Sequence, residues 1–72
     1  MKTISIRELN SLITSTALLT GCPVSYGNRV YKLFTHENGV KWINYMLYED
    51  YIKDSDKYYS SPSGWCALLR IA

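Results

Sequence analysis

Three side chains in this chain of 72 residues are of the type that does nucleophilic or soft-metal chemistry: Cys22, His36 and Cys66. Together they could supply only three zinc ligands, with none of the short spacings that structural zinc sites use. His36 is the sole histidine and sits beside Glu37 at an expected hairpin tip, where a lone imidazole is usually just solvated. Cys22 follows an expected helix, and the C-terminal end of a helix is its negative pole, which disfavours a thiolate. Asp54-Ser55-Asp56 starts like a calcium loop, yet its sixth and twelfth positions are Tyr59 and Trp65 instead of the required glycine and acid. The four glycines are isolated, so no phosphate cradle forms from sequence. These residues lead us to expect no catalytic group, no metal, no cofactor and no enzymatic activity.

The chemistry that remains is contact chemistry. All ten aromatic residues lie between Tyr26 and Trp65. Tyrosine combines area, low rotamer cost and a polar tip, which suits contact surfaces. The stretch from Tyr48 to Tyr59 mixes Tyr48, Tyr51, Tyr58 and Tyr59 with Glu49, Asp50, Asp54 and Asp56. Tyrosines can act as anchors on a partner and carboxylates can meet its basic residues. These eight residues are the expected partner-binding site. The alternative is a nucleic-acid surface on the preceding hairpin, built from Arg29, Tyr31, Lys32, Lys41 and Trp42, with bases stacking on the aromatics. Its basic residues are few and the neighbouring segment is acidic, so nucleic acid is the less favoured partner.

Charge and size set the frame. The net charge is +2. Residues 1–47 hold five basic and two acidic residues, net +3, and residues 48–72 hold three basic and four acidic, net −1. The chain is 47% apolar and 19% charged, a globular composition. A domain this small buries about 60% of its unfolded surface, so a homodimer or partner complex is a reasonable expectation. Cys22 and Cys66 lie outside any C-x-x-C pair and are expected as free, buried thiols. Leu19-Thr20-Gly21-Cys22 matches the bacterial lipobox, but Arg7, Glu8, Asn10, Ser11, Thr14, Ser15 and Thr16 break the apolar run such a leader needs. The expectation is a cytoplasmic protein with no membrane partner.

The positioning elements follow from pattern. Ser5-Ile6-Arg7-Glu8 is a capping-box spacing, and Ile6, Leu9, Leu12, Ile13 and Ala17 recur at helical intervals. Gly21 and Pro23 supply a stop. The reading is one helix over residues 6–20, then a connection through Gly27-Asn28. A hairpin follows over residues 29–48, turning at Asn38-Gly39 as a type I′ pair with Glu37 opposite Val40. A helix over residues 40–53 competes with the second strand, but the β-branched and tyrosine content favours strand. Residues 49–63 read as a loop and 65–71 as a third strand.

That register pairs Thr35 with Trp42, Leu33 with Asn44, Tyr31 with Met46 and Arg29 with Tyr48 on one face. It pairs Phe34 with Ile43, Lys32 with Tyr45 and Val30 with Leu47 on the other, where the helix would dock. The Tyr31/Trp42/Met46 face then needs a cover: the C-terminal segment, a second copy or a partner. The expected architecture is one α+β domain over residues 1–72, an N-terminal helix on a three-stranded antiparallel sheet. The expected function is a small protein-binding module in the style of phage and mobile-element accessory proteins, inhibiting a host defence or regulatory complex by occupying its surface.

Overall fold

The computed structural model describes residues 6–71. It is an α+β fold with a four-stranded antiparallel sheet in the order β1-β2-β3-β4 and four short helices. The strands are β1 (Val24–Tyr26), β2 (Arg29–Thr35), β3 (Lys41–Leu47) and β4 (Cys66–Arg70). The helices are α1 (Ile6–Ile13), α2 (Thr16–Leu19), α3 (Tyr48–Tyr51) and α4 (Ser55–Ser60).

The single N-terminal helix of the sequence reading is two helices. The break falls at Thr14-Ser15, and the hydroxyl-rich segment explains it. Ser11 Oγ donates to the Arg7 carbonyl at 3.1 Å and Thr14 Oγ1 to the Asn10 carbonyl at 2.7 Å. Such bonds compete with the helical ladder and loosen it. Ser15 then turns extended (φ −74°, ψ 116°), and its Oγ accepts from the Leu18 N–H at 3.2 Å as the N-cap of α2. The helix ends in a Schellman pattern: Cys22 N–H donates to Ala17 O and Gly21 N–H to Leu18 O, each at 3.0 Å. Ser5 of the expected capping box lies outside the described residues.

The sheet has one strand more than expected. Residues 24–26 pair with residues 29–31 across the two-residue connection Gly27-Asn28, with Tyr26 opposite Arg29. A Gly-Asn pair between alternating residues is itself a hairpin signal.

The central hairpin is shifted by one residue from its expected register. Gly39 N–H donates to His36 O at 2.9 Å and His36 N–H to Val40 O at 2.8 Å. Gly39 alone in this turn has a positive φ, +83°. Asn38 keeps a negative φ, and its Oδ1 accepts from the Val40 N–H at 3.1 Å. This is a three-residue loop, a turn followed by a left-handed glycine bulge, not a type I′ pair. Phe34 therefore faces Trp42, Leu33 faces Ile43, Lys32 faces Asn44 and Tyr31 faces Tyr45. A slip of one residue moves every β3 side chain to the opposite face relative to β2.

The corrected faces make a consistent core. Tyr31, Leu33, Ile43 and Tyr45 share one side and pack with Leu12 of α1 and Leu18 of α2. Tyr31 and Tyr45 have ring centroids 6.4 Å apart. Val24, Leu68, Leu69 and Ile71 pack against this cluster. A register shift between Ile43 and Asn44 leaves Leu68 unpaired, so Leu68 and Leu69 both reach it. The opposite side carries Val30, Lys32, Phe34, Trp42, Asn44 and Met46, and there Trp65 meets Phe34 and Tyr59 of α4 lies over Lys32.

Candidate functional site: an acidic aromatic cap

Residues 49–63, expected as a loop, are largely α3 and α4. Glu49 and Asp50 fall in the first turn of α3 and Asp56 in that of α4, where acidic side chains complement the exposed N–H groups. The Tyr48 N–H donates to the Asn28 carbonyl at 2.9 Å, which ties the start of α3 to the β1–β2 turn. Trp65 is the clamp at the other end. Its ring meets Phe34 edge-on (5.5 Å, 67°) and Tyr51 edge-on (5.7 Å, 63°). Its Nε1–H donates to the Tyr58 carbonyl at 2.9 Å. Gly64 has φ +89°, and a Cβ there would stand 2.8 Å from Tyr58 Cε1, so only glycine lets the chain close on that ring.

The cap divides the expected site residues by role. Tyr51 and Tyr58 turn inward and are half-buried, so they hold the cap in place. Burial pushes the Tyr51 hydroxyl pKa up, with Tyr59 and Asp56 adding to it. Asp50 pairs with Lys53 at 3.4 Å on the surface, a contact worth little. Facing outward are Tyr48 (47% exposed) and Tyr59 (51%), with the exposed carboxylates Glu49, Asp54 and Asp56. Ile52, absent from the expected site, is 55% exposed. It follows Tyr48 by four residues, the spacing that puts both on one helical face. That spacing is visible in the sequence once the segment is read as helix.

The alternative nucleic-acid set is not brought together. Tyr31 is core. Arg29 shares the core side, its guanidinium 5.4 Å from the Tyr45 ring centroid. Lys32 and the half-buried Trp42 lie on the cap side, and Lys41 is exposed at the start of β3. Arg29 and Lys32, two of the three cations of the set, thus point to opposite sides of the sheet.

Lys32 is 7% exposed, with its Nζ 4.3 Å from the Phe34 ring centroid and 5.0 Å from that of Tyr59. No ion pair to it forms among the described residues. Burial lowers its pKa, partly countered by nearby Cys22. Two aromatic faces return only part of what the ammonium loses on leaving water. Lys32→Met is expected to raise stability at pH 7 by about 1 kcal/mol, the gain from removing a buried charge less the ring contacts. The pH dependence identifies the cause. The penalty on wild type is full at low pH, and fades as pH rises from the lowered folded pKa toward the unfolded value of 10.5. Tyr45 and Tyr51, both raised above 10.0, act oppositely: their contribution is full below that pH and is lost above it. Urea melts of both proteins from pH 7 to 10.5 should therefore converge; a constant gap would assign the gain to packing instead.

Cys22 and Cys66 are free, and both are exposed, not buried as expected. Cys22 lies just before β1 and Cys66 opens β4, at opposite edges of the sheet. Among the described residues no cluster of three or more His, Cys, Asp or Glu side chains could hold a metal, and no helix is long and apolar enough to cross a membrane.

A cavity of about 280 Å³ opens where the β1–β2 turn meets the start of α3, lined by Gly27, Asn28, Leu47, Tyr48 and Glu49. No protein-family model, curated protein or solved structure matches the chain.

Proposed function

We propose that this chain is a non-enzymatic binding module that docks on a larger protein through the outer side of its α3–α4 cap. The observation that carries this reading is that Tyr48, which opens α3, and Ile52, its C-cap one turn on, are both about half exposed, with Glu49 exposed in the same turn. A tyrosine at the start of a short helix and an isoleucine at its C-cap supply contact area at small entropic cost. The carboxylates of Glu49, Asp54 and Asp56 add orientation toward a basic surface. Tyr51 and Tyr58 serve the module by holding the cap, not by touching the partner.

A chain of this size acting through one surface suits an accessory protein of a phage or mobile element. It would work in the cytoplasm, inhibiting a host defence or regulatory complex by covering the surface that complex needs. The test is the double variant Tyr48→Ala/Ile52→Ala. Both positions are surface, so unfolding free energy should change by less than about 1 kcal/mol. Capture of a partner from host lysate should fall at least about tenfold, as for loss of an anchor residue. Undiminished capture by the well-folded variant refutes the assignment of the surface. Tight binding to single-stranded DNA or RNA that weakens steeply with salt would replace the reading altogether.

A further inference from the structure

The cavity beside Tyr48 has a composition that selects its occupant. At about 280 Å³ it lies just below the usual range for small-molecule sites, and is sized for one long side chain. Leu47 and Tyr48 give the lining its apolar share, and the exposed Glu49 is its one ionisable carboxylate. That carboxylate has no ion-pair partner among the described residues. Three of the chain's cations make their contacts with other residues: Lys53 with Asp50 at 3.4 Å, Lys57 with its Nζ 5.5 Å from the Tyr58 ring centroid, Arg29 over Tyr45. An anion would meet Glu49 and be repelled, while a purely apolar group would leave the carboxylate without a partner charge.

We infer that this notch is a specificity pocket for an arginine side chain of the protein partner, an inference that rests on the docking role proposed for the cap. Arginine fits each part of the lining. Its methylenes pack on Leu47 and its planar guanidinium lies against the Tyr48 ring. The same fork donates in pairs to the Glu49 carboxylate. The notch is preformed, because the Tyr48 N–H to Asn28 O bond fixes the turn against α3.

The test needs no knowledge of the partner. The probes are the blocked tripeptides acetyl-Gly-Arg-Gly-amide and acetyl-Gly-norleucine-Gly-amide, titrated into the isotope-labelled protein and followed by amide chemical shifts. The arginine peptide should shift Gly27, Asn28, Tyr48 and Glu49 with a dissociation constant on the order of 1 mM, as for one anchored side chain. Norleucine should bind at least about tenfold more weakly, and Glu49→Gln should weaken the arginine peptide by a similar factor, the loss of a charge-assisted pair. Equal binding of the two peptides, shifts centred elsewhere, or indifference to Glu49→Gln each overturns the inference. A partner captured through Tyr48 and Ile52 but insensitive to Glu49→Gln would keep the docking surface and remove the pocket. Arginine binding without any captured partner would do the reverse.

Discussion

Trp65→Ala is expected to lower the unfolding free energy by about 3–5 kcal/mol, the usual cost of truncating a large packed aromatic. The position touches three parts of the chain at once. Its ring touches Phe34 on β2 and Tyr51 on α3, and its N–H holds the Tyr58 carbonyl on α4. Removing it leaves that carbonyl without its donor and removes the ring that links Tyr51 to Phe34 on the sheet. Phe34 and the buried Lys32, which meet Trp65 and Tyr59, would lose cover on that side of the sheet. Trp65→Phe separates the two contributions. It keeps an aromatic ring but loses the hydrogen bond and part of the indole's packing, so an intermediate loss of about 1–3 kcal/mol is expected. Denaturant melts measure the totals, and hydrogen exchange at the cap amides of Tyr58 and Ser61, bonded to Asp54 and Lys57 carbonyls, reports cap opening below the global transition. A Trp65→Ala loss under about 1 kcal/mol would mean that the cap is not held by this ring.

The same cap shows where sequence reasoning reached and where it stopped. The two long strands were readable from their alternation, because periodicity is a local property. Their register was not, because it depended on the backbone of one residue. Asn38-Gly39 reads as two left-handed positions, and only Gly39 adopts one. That difference exchanges the neighbours of Ile43 and Tyr45 with those of Trp42, Asn44 and Met46. It also changes which side the N-terminal helices cover. The need for a second cover was legible in the number of apolar residues on both faces. Its source was not, since α3 and α4 are too short to announce themselves by period. The Tyr-and-carboxylate stretch was legible as a surface candidate, while the inward turn of Tyr51 and Tyr58 depends on Trp65, a long-range contact. Ile52 was missed for a related reason: its partnership with Tyr48 exists only in a helix.

Leu18→Ala is the second large loss, about 2–5 kcal/mol, and it arises from the weakest local structure in the fold. Helix α2 has four residues, too few to persist in water without tertiary support. Its ends are tied by the Ser15 cap and by the bonds from Gly21 and Cys22. Those ties orient the turn, whereas Leu18, 0% exposed between α1 and the sheet, is what anchors it. A chain of this length is worth about 4–10 kcal/mol in total at typical per-residue stability, so the cut removes a large share of it. Leu19 is the internal control: its side chain is 45% exposed, and Leu19→Ala should cost under about 1 kcal/mol. Ser15→Ala should fall between the two, at about 1 kcal/mol for a lost cap. The cap positions Leu18, so the double variant Ser15→Ala/Leu18→Ala should lose less than the two single losses together. Equal losses at Leu18 and Leu19 would show that α2 does not dock on the sheet. In that case Tyr31 and Ile43 would need another cover for the face they share.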